Sequence, residues 1–206
     1  MNIRKLGAAV AAAVVAVSAV TITAFAAGTK VPITEKYFPD EIFREYVKQF
    51  DTDGNGSLSQ KERDAVTEIN VSEMGIKSLS GVSYFQNLEK LDCIGNELTR
   101  LNVSKNTKLE QFSCDDNKLT KLDLSKNTEL FLISCEKNGL TELDLSKNTE
   151  LAWFDCSDNQ LTELDVSHNT KLIHLYCGGN KLTKLDVSKN KKLIAFGYDW
   201  DVEVRR

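Results

Sequence analysis

Apolar and polar residues follow a pattern that repeats every 21 residues between Leu88 and Lys192. Each of the five units places leucine at its first and eleventh positions, an apolar residue at the fourth, and asparagine at the ninth and nineteenth. A repeat of this length is too short to bury a core of its own, so it is stable only when stacked on its neighbours. The pattern therefore predicts a solenoid. The chain's five cysteines mark the sixth position of each unit: Cys93, Cys114, Cys135, Cys156 and Cys177.

The alternation around the fourth and sixth positions has the two-residue period of a β-strand. The apolar fourth residue and the cysteine should face the core of a parallel sheet, and the third and fifth residues should face outward on its concave side. So short a unit leaves little room for a helix on the return path, which should be extended or a short 3₁₀ turn. The inward pairs are Leu91/Cys93, Phe112/Cys114, Ile133/Cys135, Phe154/Cys156 and Leu175/Cys177.

Two columns of asparagine recur as strictly as the leucines. The first follows the strand, where a buried amide can satisfy backbone groups of its own coil and the adjacent one. The second should lie at the turn back from the convex side, and we interpret both columns as structural. Their members are Asn96, Asn117, Asn138, Asn159 and Asn180, and Asn106, Asn127, Asn148, Asn169 and Asn190.

A helix and a twelve-residue polar loop precede the repeats. Pro39, Asp40 and Glu41 are typical of a helix start, and Ile42, Phe43, Tyr46, Val47 and Phe50 should form its apolar face. The segment from Asp51 to Glu62 reads DTDGNGSLSQKE and matches the calcium loop of an EF-hand. The predicted Ca²⁺ ligands are Asp51, Asp53, Asn55, the carbonyl of Ser57, a water held by Ser59, and both carboxylate oxygens of Glu62.

A polar turn between helices is the alternative interpretation of this loop, but it does not account for so many simultaneous matches. The sequence contains one such loop, whereas calcium sensors pair two. Leu58 and the helix face therefore need another apolar partner, and the open end of the solenoid is the one available. We predict a structural cap that Ca²⁺ stabilises, followed by a first, irregular coil from Val66 to Asn87 in which Gly81 absorbs one extra residue.

The N-terminus and the charge balance bear on location and partners. Residues 1–26 combine Arg4 and Lys5 with an apolar run that ends in Ala24-Phe25-Ala26, which predicts a secretory signal peptide. A retained membrane anchor is the alternative. Cleavage removes two positive charges and changes the net charge from −4 to −6. An acidic mature chain is a poor candidate for binding nucleic acid or an anionic membrane.

The cysteine column does not favour disulfides, although the chain is predicted to be exported. Equivalent positions on adjacent parallel strands lie about 4.8 Å apart with parallel side-chain directions. A disulfide prefers converging directions and Cβ atoms about 3.8 Å apart. We therefore expect buried free thiols that pack as small apolar residues.

The unit L-x-x-Φ-x-C-x-x-N-x-L-T-x-L, where Φ is Leu, Phe or Ile, resembles the leucine-rich-repeat family. With the preceding calcium loop, the chain looks like the secreted or surface leucine-rich-repeat proteins of anaerobic bacteria, which implies a binding module. The resemblance implies an α/β-type solenoid, a right-handed horseshoe with a parallel β-sheet on the concave side and an irregular convex side. The predicted domains are a signal peptide (1–26), a linker (27–36), the EF-hand cap (37–65), and a solenoid (66–206) of about six coils plus a polar C-terminal edge strand.

Large side chains at outward strand positions mark the candidate binding surface. Leu132, Trp153, His174 and Tyr176 should form one partly aromatic patch. Exposed aromatic residues on a rigid sheet are typical interface anchors, and the predicted partner is a protein or a glycan. A solvated sheet or a dimer contact is the alternative. The alternative function is that of an assembly protein that self-associates through this patch or the solenoid edge. For the oligomeric state we expect a monomer or weak self-association.

Catalytic constellations are weak in this sequence. Asp115 and Glu136 occupy one position on adjacent coils, about 5 Å apart as in retaining glycosidases, but we expect them on an open rim with no pocket to raise a pKa. His174 should face outward and Cys177 inward, so they cannot form a nucleophilic pair. We therefore predict that the protein is not an enzyme.

Overall fold

The computed structural model describes residues 28–206, and the predicted signal peptide lies outside this range. Within the described residues, no helix has the length and apolar character needed to cross a membrane. The helices and strands of the described residues form an N-terminal cap and a stack of coils. The boundary between the two follows the change from irregular to periodic sequence.

The cap consists of two short helices and a two-stranded antiparallel sheet. Strand β1 (Val31–Pro32) precedes helix α1 (Glu41–Val47), which continues as a 3₁₀ turn over Lys48–Phe50. Strand β2 (Ser57–Leu58) and helix α2 (Gln60–Asp64) follow. The Asp40 side chain caps α1 by accepting hydrogen bonds from two backbone N–H groups of its first turn, and Ser59 forms a capping box with Glu62 at the start of α2.

Two details of the cap differ from the expectation. Residues 27–36 are not only a linker, because β1 pairs with β2 and Val31, opposite Leu58, is fully buried. The short strand β2 would otherwise have an unpaired edge, and β1 occupies it. Ile42 does not belong to the buried face of α1, since 39% of it is exposed, whereas Phe43 and Val47 are fully buried.

A seven-stranded parallel sheet runs through the stack of coils, with one strand from each coil in chain order. Ile69 of the first coil pairs with Leu91 of the second, so the pair is in register although 22 residues separate the two. The sheet strands are β3 (Glu68–Asn70), β4 (Lys90–Asp92), β5 (Gln111–Ser113), β6 (Leu132–Ser134), β7 (Trp153–Asp155), β8 (His174–Tyr176) and, after a return-side strand β9 (Lys184–Asp186), β10 (Ala195–Gly197).

The predicted inward pairs form the core, and all ten side chains are at most 1% exposed. All five cysteines are free. Four of their Sγ atoms lie 3.3–3.6 Å from the carbonyl oxygen of the fifth-position residue on the next coil, so the thiols can act as weak donors along the stack. Burial raises the pKa of each thiol, and that of Cys177 reaches about 12.

Both asparagine columns bond to the backbone of neighbouring coils. The Nδ2 atom of Asn96 donates to Val71 O at 2.8 Å, and its Oδ1 atom accepts from Ile76 N at 2.9 Å. In the second column, Asn127 Nδ2 donates to Val103 O at 3.1 Å and to Asn106 O at 2.7 Å. The second column is satisfied mainly through its donors, because its five buried Oδ1 atoms accept from no described protein group.

The first coil has a 3₁₀ turn over Val82–Tyr84, and the return side of the other coils contains turns and extended chain rather than helix, in agreement with the short period. Here β9 (Lys184–Asp186) pairs in parallel with β11 (Glu203–Arg205). The charged C-terminal strand therefore lies on the return side and does not shield the edge of the main sheet. That edge is β10.

Candidate functional sites: the acidic loop and the outward face of the sheet

The loop from Asp51 to Glu62 brings its carboxylates together. One oxygen each of Asp51, Asp53 and Glu62 lies within 4.8 Å of the other two. Calcium–oxygen distances are about 2.3–2.6 Å, so one ion could touch all three. Gly54 and Gly56 have φ values of 65° and 78°, the left-handed conformation that turns the loop back on itself.

Backbone donors hold two of these carboxylates in position. Asp51 accepts from Asn55 N at 3.1 Å and from Gly56 N at 2.7 Å. Glu62 accepts from Thr52 N and Ser59 N at 2.7 and 2.8 Å, and from both of their hydroxyl groups at 2.8 and 2.7 Å. These bonds, the one from the Ser59 backbone above all, lower the pKa of Glu62 to about 2. The carboxylate is therefore ionised at neutral pH. A cation bound by both of its oxygens would compete with the hydroxyl groups of Thr52 and Ser59 for them.

Polar contacts join the cap to the first coil. The second carboxylate oxygen of Asp40 accepts from Lys77 N at 2.8 Å and from Ser78 N at 3.2 Å, so one side chain both caps α1 and binds the first coil. Tyr46 Oη accepts from Asn70 N at 3.2 Å, at the end of β3. These contacts were not predicted, because the partners lie up to 38 residues apart and follow no repeat.

Gly81 marks the closest approach of the cap to the coil. Its φ is 105°, and a Cβ atom there would lie 2.4 Å from Phe38 Cδ1 and 2.6 Å from Tyr37 O. Only glycine combines this backbone conformation with such a close contact. The residue predicted to absorb an insertion therefore also makes room for the cap.

The four predicted patch residues lie together on the outward face. Leu132 pairs with Trp153, Trp153 with His174, and Asp155 with Tyr176 on adjacent strands. The Trp153 and Tyr176 rings are 6.2 Å apart between centroids and inclined by 54°. All four side chains are partly exposed, so they can contact a partner without any rearrangement of the sheet. Leu132, Trp153, His174 and Tyr176 are called the aromatic patch below.

A second apolar column lies beside the aromatic patch, at the position before each strand. Ala152 N and Trp153 N both donate to Phe131 O, at 2.8 and 3.0 Å, and the next coils repeat this arrangement, so these residues are neighbours across the ladder. The first two regular coils have Glu89 and Glu110 at this position, and the change from glutamate to apolar residues is the sequence signal that could have indicated the column. We call it the apolar column, and its members are Phe131, Ala152, Ile173 and Ile194.

The same face is polar over the first coils. Lys90 Nζ lies 2.9 Å from a carboxylate oxygen of Glu68 and 3.1 Å from one of Asp92. The Glu68 hydrogen bond, followed by that of Asp92, raises the pKa of Lys90. The outward face therefore divides into a charged half near the cap and an apolar, aromatic half toward β10.

The prediction that nothing would raise the pKa of Asp115 was wrong. Its side chain is substantially desolvated, and this desolvation raises the pKa. Its Oδ1 atom accepts from Ser134 Oγ at 2.6 Å and from Glu136 N at 2.7 Å. The carboxylate is thus committed to joining two coils, which is a structural role.

Comparison with known proteins shows the fold class. No protein-family model and no curated protein matches the chain. The functional domain of InlJ from Listeria monocytogenes, described as including a cysteine ladder, is 36% identical with a TM-score of 0.77, over 83% of this chain. Two other Listeria monocytogenes structures share the fold. The internalin inlF is 21% identical with a TM-score of 0.62, over 82% of this chain and 58% of that chain. Internalin C2 is 20% identical with a TM-score of 0.58, over 82% of this chain and 90% of that chain. The chain is a leucine-rich-repeat solenoid of about seven turns.

The match to InlJ includes 38% of the InlJ chain, so this chain spans well under half of that structure. The cysteine ladder named for InlJ corresponds in kind to the column of five buried thiols described above.

Proposed function

We propose that this protein is an exported, calcium-stabilised binding module that recognises a protein partner through the aromatic patch. The observation that carries the proposal is the contiguous run of partly exposed Leu132, Trp153 and His174 on paired strands, with the Tyr176 ring beside Trp153. Large rigid side chains on a sheet bury much area at a small entropic cost, and such residues dominate binding energies.

The apolar column favours a protein over a glycan as the partner. Sugar recognition needs hydrogen-bonding groups beside an aromatic face, but Phe131, Ala152, Ile173 and Ile194 offer none from their side chains. Their partly exposed apolar surface suits the apolar side chains of another protein. The fold supports the same reading, because solenoids present extended binding surfaces.

Calcium has a stabilising role in this proposal. Asp51, Asp53, Asn55, Ser57, Ser59 and Glu62 would hold the ion, with Ser59 acting through a water. Three clustered carboxylates repel one another, and among the described residues one ion pair reaches them, from Lys30 Nζ to Asp53 at 4.0 Å. A divalent cation would remove that repulsion and stiffen the loop between α1 and α2.

The proposal of export rests on the signal peptide predicted for residues 1–26. The thiol column is compatible with export, because fully buried thiols with raised pKa values react slowly with oxidants. The buried thiols also leave no reactive cysteine nucleophile among the described residues, and we propose no catalytic activity.

The binding proposal is tested with a protein array and a glycan array probed in calcium. The variants are Trp153→Ala/Tyr176→Ala and, as a matched control on equivalent strand positions of a polar coil, Gln111→Ala/Ser113→Ala. We expect a specific protein ligand whose affinity falls by at least about tenfold in the first variant, since two interface anchors are each worth about 1 kcal/mol or more. The control should bind as the wild type does. Equal binding by all three would refute the site, and a glycan ligand would refute the class of partner.

A further inference from the structure

Four outward side chains on two adjacent strands adjoin one small area of the sheet. Trp153 and Asp155 lie on β7, and on β8 His174 pairs with Trp153 and Tyr176 pairs with Asp155. Paired strands lie about 4.8 Å apart, and alternate residues along a strand lie about 6.6 Å apart. The two aromatic rings therefore occupy one diagonal of a near-square, and the carboxylate and the imidazole occupy the other. All four side chains are half-buried.

The two rings leave aromatic surface free for a cation. The centroids of Trp153 and Tyr176 are 6.2 Å apart, and the ring planes are inclined by 54°. Rings at this angle do not cover each other face to face, as parallel rings in contact do. The negative face of a ring attracts a cation that lies within about 6 Å of the centroid. One cation between the two rings would lie within that distance of both.

Asp155 supplies a negative charge that has no counter-ion in the protein. Its Oδ1 atom accepts from Ser157 N at 2.9 Å, which fixes the orientation of the carboxylate. Within residues 28–206, no lysine or arginine forms an ion pair with Asp155. Asp92 occupies the same strand position in the charged half and pairs with Lys90 at 3.1 Å. Because a half-buried carboxylate costs free energy until a cation pairs with it, this position favours a cationic ligand.

The surroundings of Asp155 add to the negative charge. Ser134, its register partner on β6, donates through Oγ to Asp115 Oδ1 at 2.6 Å, so a second carboxylate lies on the same side of the face. The nearby Glu136 is paired with Lys137 at 2.8 Å and contributes little net charge. Apolar side chains of the aromatic patch and the apolar column adjoin the other sides. An apolar environment strengthens the attraction between a carboxylate and a cation.

We infer that Trp153, Asp155, His174 and Tyr176 form a binding site for an arginine side chain of the partner protein. This site rests on the proposed function, because the partner supplies the arginine. A guanidinium is planar and stacks on aromatic faces, and its fork of N–H groups matches a carboxylate. Asp155 would accept from the fork while Trp153 and Tyr176 contact the plane, and an uncharged His174 offers one further acceptor. Lysine, a point charge without a plane, would fit less well.

The test is an NMR titration of the nitrogen-labelled chain in calcium at about pH 8, where imidazoles are uncharged. The ligands are N-acetylargininamide, its lysine analogue, and its citrulline analogue, which has the shape of arginine without the charge. The Trp153 indole N–H and the amides of Asp155 and Ser157 report on the site. We expect saturable shifts of these signals with the arginine ligand. The citrulline ligand should bind at least about fivefold more weakly, and the lysine ligand should lie between the two.

Three variants assign the binding to these side chains. Asp155→Asn keeps an oxygen acceptor for Ser157 N and removes the charge, and Trp153→Leu removes one ring. Each should raise the dissociation constant of the arginine ligand at least about fivefold. Asp92→Asn is the matched control, because it removes a carboxylate from the same strand position on another coil. It should bind as the wild type does.

Three results would overturn the arginine site. They are no saturable shift up to about 50 mM ligand at constant chloride, equal binding of the citrulline ligand, and wild-type affinity in Asp155→Asn. The proposed function fails separately. A protein ligand that requires Trp153 and Tyr176 but binds Asp155→Asn equally well would uphold the patch and refute the arginine site. Binding of the arginine ligand as expected, with no protein ligand on the array, would support the site and count against the proposed function.

Discussion

The two ends of the seven-stranded sheet are finished differently, although both end a stack of similar coils. At the N-terminal end, the first-coil residues Ile69, Val71 and Ile76 are fully buried beneath the cap. At the C-terminal end, the corresponding core residues Phe196 and Tyr198 remain partly exposed. A repeat cannot close its own stack, because each coil buries its core only against the next one. Closure therefore depends on residues outside the repeat.

The cap closes its end with a small number of specific contacts. Phe38 is fully buried among the rings of Phe43, Tyr84 and Phe85, with centroids 5.7–6.5 Å away. Asp40 bonds to the backbone of the first coil on the polar side of the same junction. The C-terminal end has one ring stack, Phe196 on Tyr198, and the guanidinium of Arg206 over the Phe196 ring.

The largest expected effect comes from removing the ring at the closed end. Phe38→Ala should lower the free energy of unfolding by about 3–5 kcal/mol, because it leaves a cavity between cap and coil. Phe196→Ala should cost about 1–2 kcal/mol, since part of that ring is already in water. Urea unfolding followed by fluorescence measures both. Equal losses would mean that the two ends are equally well packed.

Gly81→Ala tests how closely the cap approaches the coil. The left-handed conformation costs about 1–2 kcal/mol for alanine, and displacing Phe38 should add about 1–2 kcal/mol more. Gly75→Ala is the matched control on the same coil, because its φ is 75° and nothing lies within 4 Å of the new Cβ atom. The thermal midpoint should fall more for Gly81→Ala. Similar midpoints for the two variants would show that the cap can move away at little cost.

Calcium removal should weaken the closed end more than the open end. With free calcium at about a hundred times its dissociation constant, binding stabilises the folded state by about 2.7 kcal/mol. A chelator should therefore lower the thermal midpoint of the wild type. In calcium, Glu62→Gln should already have the lower thermal midpoint that the wild type shows in chelator, and adding chelator should change it little. A wild-type midpoint that does not change with chelator would contradict the calcium proposal.

The substitution Asp115→Asn, on an internal coil, should change the free energy of unfolding least. Its pKa is raised, so its charged form is disfavoured in the folded protein, and wild-type stability gains from protonation as the pH falls through that pKa. Asp115→Asn keeps an oxygen acceptor for Ser134 and Glu136 without the charge. The variant should be more stable than the wild type at neutral pH, by less than about 1 kcal/mol, and this advantage should shrink as the pH falls.

Thermal unfolding at several pH values measures the Asp115 effect. Asp116→Asn is the control, because Asp116 is the exposed neighbour and asparagine tolerates its left-handed φ of 50°. A loss of stability in Asp115→Asn at neutral pH would mean that the ionised carboxylate is preferred in this position.

The periodic part of the molecule could be predicted from the sequence because each position has one environment in every coil. Leu91 and Cys93 predict the core side, and Asn96 predicts the bonds that its column makes, since equivalent residues repeat the same geometry. The clustering of Asp51, Asp53 and Glu62 could also be predicted, because their spacing matches the pattern of a calcium-binding loop. Calcium binding itself stays a prediction.

Features that occur once could not be predicted in this way. The pairing of Val31 with Leu58 and the double role of Asp40 depend on contacts between segments that share no pattern. Phe131 was missed because its position precedes the strand, and only the register shows it beside Trp153. The raised pKa of Asp115 depends on burial by the adjacent coil. The repeat pattern placed this residue on an open rim and therefore did not indicate the burial.

Hydrogen exchange resolved to single amides, with calcium and with chelator, tests most directly whether the calcium-loaded cap closes one end while the other stays open. Val71 N, bonded to Asp92 O at 2.9 Å, reports on the closed end, and Cys177 N, bonded to Gly197 O at 2.8 Å, reports on the open end. We predict that chelation accelerates exchange most at Val71 and progressively less toward Cys177. An unchanged rate at Val71, or an equal acceleration at both amides, would contradict the account.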